Sequence, residues 1–245
     1  APEFSVTYAD VDVTNTAAQD GAFHLVKVSY AALPWLLDRY QLLPCGGALG
    51  RGCGPLVLTR QDRAGDDLDG CSVAVPGDRT TAYLLMRLWS ARRPPARVTV
   101  LPFGEIMPAV AAGRFDAGLV IHEARFTYPE HGLRALVDLG EWWEQDTGLP
   151  IPRGAILARR GDVDPAEAAG WIRASARFAT ADPYLSRGYV RSHAKETEPE
   201  VIAKHIKLYV NDFTFDLGEE GYAAAEALLR RSATAGLTPP APRLR

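Results

Sequence analysis

Strand-like and helix-like segments alternate along most of this 245-residue chain. Short apolar runs such as SVAVPG (72–77) and RVTVLPF (97–103) each lead into a turn and then into a segment with helical character. This order is typical of an α/β fold whose strands pair mainly in parallel. The pattern predicts strands at 4–9, 24–28, 55–60, 72–77, 97–103, 117–123 and 154–161, and helices at 12–20, 29–39, 80–93, 105–113, 165–181, 183–193, 199–209 and 219–235. The segment 140–152 (GEWWEQDTGLPIP) is predicted to be irregular. Its tryptophan pair could form the wall of a pocket for a flat ligand or pack at the lobe interface, and packing is favoured.

A weak internal repeat relates residues 6–30 to residues 98–122 at a constant offset of 92 positions. The identical pairs include Val6 and Val98, Ala17 and Ala109, Gly21 and Gly113, Phe23 and Phe115, and Val28 and Val120. Chance similarity between two βαβ units is one explanation for so few identities. The other is a pair of similar lobes, with the second inserted into the first.

A two-lobed arrangement makes specific predictions about domain limits and a ligand cleft. The first lobe comprises residues 1–67 and 161–245, and the second comprises 68–160, including the strand that returns to the first lobe. Ligands in open α/β sheets bind beyond the carboxyl ends of the strands. The repeat aligns Ser29 and Tyr30 with Ile121 and His122. Both pairs are therefore predicted to face the cleft between the lobes.

Charge and cysteine usage exclude several classes of function. The formal net charge is −3, so the chain has no basic excess for binding nucleic acid. It has no apolar run of about 18 residues, so no membrane span is predicted. Cys45, Cys53 and Cys71 form no CxxC pair, and the five histidines show no HExxH motif, so no metal site is expected. Reduced thiols and a cytoplasmic location are the corresponding expectation, although a chain that begins at Ala1 without Met says little about a signal sequence.

Two predicted helix starts could hold an anionic group. The helix that begins near Thr80 and Thr81 follows a strand and a glycine turn, so its first backbone N–H groups would face an anion. An ordinary threonine cap explains the same residues equally well. Ser29 is predicted to cap the helix at 29–39, and Lys27 precedes it at a strand end. The local sequence favours a solvated Lys27 over one that binds a ligand.

His122 ends an apolar strand and is the main candidate for proton transfer. A histidine in such a run is commonly a hydrogen-bonded structural residue. Its place at a strand end nevertheless matches where α/β clefts hold ligands, and an imidazole with an ordinary pKa of about 6.5 suits a general base. Glu123 would point to the opposite side of the strand. The local sequence leaves the structural and the catalytic interpretations open.

Several long motifs resemble one enzyme family, the 1,4-dihydroxy-6-naphthoate synthases of the futalosine route to menaquinone. The similar segments are KVSYAAL (27–33), GGALGRGCGPLV (46–57), VPGDRTTAYLL (75–85), EIMPAV (105–110), GLVIHEARFTYPEHGL (118–133), VDLGEWWEQDTGLPIPRGAILARR (137–160) and YVNDFTFDLGEEG (209–221). The resemblance extends from about residue 4 to residue 237. It implies a two-lobed, periplasmic-binding-protein-like (type II) α/β fold with a ligand cleft between the lobes.

The resemblance also implies an activity and a set of site residues. The family splits cyclic dehypoxanthine futalosine into 1,4-dihydroxy-6-naphthoate and a three-carbon dihydroxyacetone fragment, with no metal or organic cofactor. The family's proton acceptor falls on His122. Its substrate-binding segments fall on Lys27, Val28 and Ser29, and on Thr81 and Ala82. The implied ligand is therefore a small carboxylate, and Tyr30, Arg125 and Trp142 are further candidates for lining the cleft.

One departure from the family pattern concerns the start of the chain. The family opens with a strand and a polar loop that nothing before Ala1 supplies, so the chain is expected to lack an N-terminal segment. Two alternatives remain at this stage. One is a non-catalytic protein of the same fold that binds a small acid, and the other is the sister enzyme that dehydrates chorismate. The sequence does not indicate an oligomeric state.

Overall fold

The computed structural model describes residues 3–52, 54–122, 124–193 and 198–245. Its strands are β1 Leu25–Ser29, β2 Tyr40–Leu42, β3 Ala48–Gly50, β4 Leu56–Arg60, β5 Ser72–Val75, β6 Arg97–Val100, β7 Ala117–Val120, β8 Leu133–Asp138 and β9 Ile151–Arg159. Its helices are α1 Val11–Gln19, α2 Thr81–Trp89, α3 Phe103–Ala111, α4 Ala124–Thr127, α5 Leu139–Thr147, α6 Pro165–Ala181, α7 Pro183–His193, α8 Pro199–Tyr209, α9 Asp212–Phe215 and α10 Gly218–Thr234. Two 3₁₀ helices cover Tyr30–Trp35 and Tyr128–His131.

The first sheet is built around the long strand β9, which pairs with β1, β2 and β3. All three pairings are antiparallel. Most of β9 is buried, which explains the apolar sequence of its second half, Ala155–Ala158. The register places Ser29, the last residue of β1, opposite Gly154. The amino-terminal part of β9 therefore lies beside the end of β1.

The second sheet has five strands in the order β6-β5-β7-β4-β8. Strand β5 is parallel to both β6 and β7, whereas β4 is antiparallel to β7 and β8. The prediction of mainly parallel pairing is therefore correct only for β5, β6 and β7. The first sheet departs from it because β9 returns from the second lobe and runs against its neighbours.

The weak internal repeat corresponds to a structural one over most of its length. Helix α1 maps onto α3 at the predicted offset, Val11 to Phe103 and Gln19 to Ala111, and β1 maps onto β7. The predicted strand at 4–9 is wrong. The offset of 92 maps this segment to residues 96–101, which do contain a strand, β6. Residues 4–9 are exposed and lie outside both sheets. The segment contacts the helices instead, through the ring of Phe4 on Trp171 and that of Tyr8 on His193.

The two sheets divide the chain at positions that differ from the predicted lobe limits. Strand β4 belongs to the second sheet although residues 1–67 are predicted as first lobe. Strand β9 belongs to the first sheet although residues 68–160 are predicted as second lobe. The crossings from one sheet to the other accordingly lie between Gly50 and Leu56 and between Asp138 and Ile151.

Two further local predictions are wrong. The segment at 140–152 is largely helical, because Asp138 caps α5 through the N–H groups of Gly140 and Glu141. The helix predicted at 29–39 is a short 3₁₀ helix, Tyr30–Trp35, which contains Pro34. The side chain of Ser29 forms no cap there.

The interior is continuous between the sheets. One cluster of buried apolar side chains includes Val26 and Leu157 of the first sheet, Val73 and Leu119 of the second, and Leu228 of α10. Burial of this shared core is the main favourable term that holds the two sheets together.

Trp143 belongs to the same core, and Trp142 is partly buried against it. Cys45 and Cys71 are buried free thiols, and Cys53 lies outside the described residues. Across the described ranges, every helix is too short or too polar to cross a membrane.

Candidate active site

A cavity of about 1290 Å³ opens between elements of the two sheets. The first sheet contributes residues of β1 and β9, and the second contributes the segments that follow β5 and β7. Helix α8 and the extended residues 3–10 complete the lining. A lining that is mostly apolar with a few converging polar groups is typical of a small-molecule site.

The buried side chain of Asn15 connects two segments that form the cavity wall. Its side chain is 1% exposed and accepts a hydrogen bond from the N–H of Ser29 at 2.8 Å. The Asn15 amide group donates to Ser29 Oγ at 3.2 Å and to the carbonyl of Arg79 at 3.3 Å. A single buried amide therefore joins the end of β1 to the turn before α2. Both segments contain predicted site residues.

The start of α2 faces the same cavity. Thr80 caps the helix by accepting from the N–H of Tyr83 at 3.1 Å. Thr81 and Ala82 are the first two helical residues, whose N–H groups have no acceptor within an α-helix. The hydroxyl of Thr81 donates to the Arg153 carbonyl at 3.0 Å and accepts from the N–H of Ala31 at 3.2 Å. The Thr81 hydroxyl thus holds Arg153 and Ala31 in place beside α2. The backbone N–H groups at the start of α2 are the groups suited to bind an anion.

Lys27 lies deep in the cavity, in contact with the solvent inside it yet surrounded by protein. Burial, and secondarily the nearby Arg153 guanidinium, lower the pKa of the Lys27 ammonium group. Gly154 makes room for it, because a Cβ atom there would lie 3.2 Å from Lys27 Cε. Lys27 is thus exposed to the solvent of the cavity, in agreement with the solvated interpretation. It faces the same region of the cavity as Arg153.

His122 also lines the cavity, two residues after the end of β7. Its φ of +55° is the only positive φ of a non-glycine residue within the described ranges. Such a conformation costs about 1–3 kcal/mol and is found disproportionately at functional sites. The left-handed turn at His122 ends the strand and leads towards α4. Glu123, predicted to point away from His122, lies outside the described residues.

Helix α8 brings two aromatic side chains to His122. The His205 ring stacks on the His122 ring, with centroids 5.8 Å apart and planes 21° apart. Tyr209 stacks on His205 at 4.3 Å and also lies 6.3 Å from the His122 ring, tilted by 46°. The Arg153 guanidinium lies 3.6 Å from the centre of the Tyr209 ring, a cation–π distance. Burial, then Arg153 and then Lys27 lower the pKa of the His205 imidazole.

The structure brings most of the predicted site residues to one cavity. Lys27, Ser29, Thr81, Ala82 and His122 all line it. The predicted substrate contact Val28 does not, because its side chain is fully buried in the core on the other face of β1.

The three further cleft candidates also lie elsewhere. Tyr30 is fully buried, and burial raises the pKa of its hydroxyl above the ordinary range. Arg125 forms an ion pair with Asp138 away from the cavity. Trp142 lines a separate shallow pocket beside α10.

Four residues of the site escape the sequence analysis: Asn15, Arg153, His205 and Tyr209. Asn15 occupies a core-facing position of α1, one turn after Val11, where a polar residue is unusual and therefore informative. His205 and Tyr209 have the i, i+4 spacing that places side chains on one helix face. Arg153 precedes the predicted strand at 154–161, so the sequence contains no clear signal for it. Among the described residues, no group of three His, Cys, Asp or Glu side chains is arranged to hold a metal ion.

The fold and the cleft define a class of protein. The structure superposes on the alkanesulfonate-binding protein of Xanthomonas axonopodis with a TM-score of 0.64 and 16% identity, over 92% of this chain and 80% of that one. This similarity shows the fold alone. The chain therefore has the two-lobed α/β fold of the periplasmic binding proteins, as the sequence predicts.

Closer relatives identify the family. A family model described as menaquinone biosynthesis matches residues 1–234. The chain is 58% identical to a 1,4-dihydroxy-6-naphthoate synthase of Streptomyces coelicolor, over 98% of this chain and 86% of that protein. It is 47% identical to the protein of that name from Thermus thermophilus, over 96% and 85% of the two chains. A solved structure, protein AF1704 of Archaeoglobus fulgidus, has a TM-score of 0.86 and 32% identity, over 94% and 85%. The chain belongs to the menaquinone-biosynthesis family and resembles its enzymes named 1,4-dihydroxy-6-naphthoate synthase.

Proposed function

We propose that this protein converts cyclic dehypoxanthine futalosine to 1,4-dihydroxy-6-naphthoate and a dihydroxyacetone fragment, as a carbon–carbon lyase. The observation that carries the proposal is the convergence of His122, Lys27, Ser29, Thr81 and Ala82 on one cavity. These residues are far apart in the sequence, and the resemblance to the synthases singles out each of them independently of the structure. Kinship to proteins named for the same product supports the same conclusion.

The electrostatics of the cavity favour a carboxylate ligand. Lys27 and Arg153 carry positive charge on one side, where the α2 N-terminus at Thr81 and Ala82 adds the positive end of a helix dipole. The substrate and the naphthoate product both have an aryl carboxylate. We place that carboxylate at this end of the cavity, which leaves the rest of the molecule extended towards His122.

His122 then acts as the general base. Its imidazole accepts a proton from the substrate, and the carbon–carbon bond to the three-carbon fragment breaks. The proton returns to one of the two products, so His122 is neutral again for the next turnover. Formation of an aromatic ring supplies much of the driving force. The protein contributes a positioned base and a cavity that orients the substrate, and such proton transfer is commonly worth a factor of about 10²–10⁴ in rate.

Conversion of the substrate tests this function against its alternatives. The purified full-length protein is incubated with cyclic dehypoxanthine futalosine in buffer that contains EDTA, and the naphthoate is detected by mass spectrometry. The proposal expects naphthoate in amounts that exceed the enzyme many times over. Binding without conversion would instead identify a non-catalytic acid-binding protein, and turnover of chorismate alone would identify the sister dehydratase. The buried free thiols of Cys45 and Cys71 support a cytoplasmic location for the reaction.

A further inference from the structure

The aromatic stack beside His122 has no role in the function described so far. Four groups cluster at the cavity wall: the His122, His205 and Tyr209 rings, which all contact one another, and the Arg153 guanidinium over Tyr209. They come from the segment after β7, from α8 and from β9. The stack therefore joins the second sheet, the first sheet and the carboxyl-terminal helices at the position of the candidate base.

The ring of His122 requires support because of its backbone setting. His122 lies past the end of β7 on a left-handed turn, so the strand pairing of β7 ends before it. The described aromatic neighbours of the ring are Phe103, His205 and Tyr209, the last at 6.3 Å and tilted by 46°. Phe103 meets it edge-on at 6.0 Å and 76°, and His205 covers its face at 5.8 Å and 21°. Rotation of the His122 ring about its χ2 bond would separate it from the face of His205.

We propose that His205 is a positioning residue for His122, and that its ring holds the His122 imidazole in the orientation that accepts the substrate's proton. The inference rests on the function proposed above. Tyr209 keeps the His205 ring in place by stacking on it at 4.3 Å while lying 6.3 Å from the His122 ring, and Arg153 in turn covers Tyr209. Stacked aromatic pairs with centroids 4.5–7 Å apart are stabilising, and the His122–His205 distance falls in this range.

The charges around His205 suit this role. The groups that face it are Lys27 from β1, Arg153 from β9, His122 from the segment after β7, and Tyr209 from its own helix. Burial and the two cations favour the neutral imidazole of His205. A neutral neighbour does not repel the positive charge that His122 acquires when it takes a proton. A protonated His205 would oppose that step.

Two substitutions of His205 distinguish the effect of its planar ring from that of its nitrogen atoms. His205→Ala removes the stacking surface, whereas His205→Phe keeps a planar ring and removes the nitrogen atoms. His131→Ala is the matched control, because His131 is exposed and lies outside the cavity lining. For each variant, kcat and KM for naphthoate formation are measured, and the imidazole signals of His122 are recorded by NMR.

Loss of positioning has a distinct signature in these measurements. His205→Ala is expected to lower kcat about tenfold to hundredfold with little change in KM, since misplacing a reacting group by about 1 Å has effects of this size. The His122 signals should lose the ring-current shift of the stacked ring. His205→Phe should keep most of kcat and of that shift, and His131→Ala should match the unmodified protein.

Three results would decide against the inference or against the function on which it rests. Unchanged kcat and unchanged His122 signals in His205→Ala would overturn the positioning role. A His205→Phe variant as slow as His205→Ala would also overturn it, because the imidazole itself would then be required. If the unmodified protein forms no naphthoate, the proposed function fails, and the His122 signals alone decide whether His205 positions this ring.

Discussion

The buried amide of Asn15 allows a quantitative test of how the cavity wall is built. Its three hydrogen bonds reach the N–H and Oγ of Ser29 and the carbonyl of Arg79. Asn15→Ala removes all three and leaves the polar atoms of β1 and of the turn before α2 without this partner. Each such bond contributes about 1 kcal/mol net, and a buried group that loses its partner can cost about 1–3 kcal/mol. We therefore expect the free energy of unfolding to fall by about 2–4 kcal/mol.

Urea unfolding followed by circular dichroism measures this loss. The control is Thr16→Ala on the same helix, because Thr16 is exposed and its hydroxyl bonds only to the Asp12 carbonyl of its own helix. The control should stay within about 0.5 kcal/mol of the unmodified protein. An Asn15→Ala variant within that same range would refute the conclusion that this amide holds the two segments together. Asn15→Asp keeps the acceptor for the N–H of Ser29 but buries a charge. The free energy of unfolding of this variant should therefore differ from that of Asn15→Ala.

Further predictions concern the crossing between the sheets and an acidic group just before β7. Gly54→Ala should lower the free energy of unfolding by more than about 3 kcal/mol, because a Cβ atom there would lie 2.0 Å from the Gly140 nitrogen. Gly104→Ala, where nothing lies within 4 Å of the added carbon, is its control in a thermal melt. The hydroxyl and N–H of Ser72 hold the pKa of Asp116 below its ordinary value. This depressed pKa stabilises the protein above about pH 4, and the contribution is lost as the pH falls through the folded-state pKa. The stability difference between the unmodified protein and Ser72→Ala should therefore shrink from pH 6 to pH 3 in urea unfolding, and a difference that grows with acid would contradict the assignment.

Helices with clear end signals are predictable from this sequence. Those of the carboxyl-terminal region, Pro165–Ala181, Pro183–His193 and Pro199–Tyr209, form at the predicted positions. Proline is favoured in the first helical turn, and Asp164 caps α6 through the N–H groups of Ala166 and Glu167. These signals are local, so they remain valid whatever the rest of the chain does.

Elements that depend on distant partners are harder to predict. Residues 4–9 have the composition of a strand, but they lie in neither sheet and instead line the cavity. Strand β8 is absent from the prediction because its partner β4 is more than seventy positions away. Its last residue, Asp138, is also the cap of α5, so one residue ends a strand and begins a helix. The antiparallel first sheet likewise follows from the return of β9, which local periodicity does not encode.

The candidate site likewise contains residues that local sequence indicates and residues that depend on distant partners. His122 was predictable because a strand end in an α/β fold faces ligands, and the family motif selects the same residue. Val28 was not correctly placed, because the resemblance identifies a segment while the pleat of β1 decides which of its side chains face the cavity. His205 and Arg153 reach the cavity only through tertiary packing of α8 and β9. A single sequence therefore indicates a cavity residue at a strand end, such as His122, more readily than the residues that surround it.

The central claim is that His122 removes the proton that starts cleavage, and one paired measurement on His122→Ala tests it most directly. Substrate affinity is measured by calorimetry, and naphthoate formation by the same variant is followed under single-turnover conditions. The account predicts an affinity within a few-fold of the unmodified protein and a rate lowered by about 10²–10⁴. A variant that binds the substrate and forms naphthoate at close to the normal rate would contradict the assignment of His122 as the base.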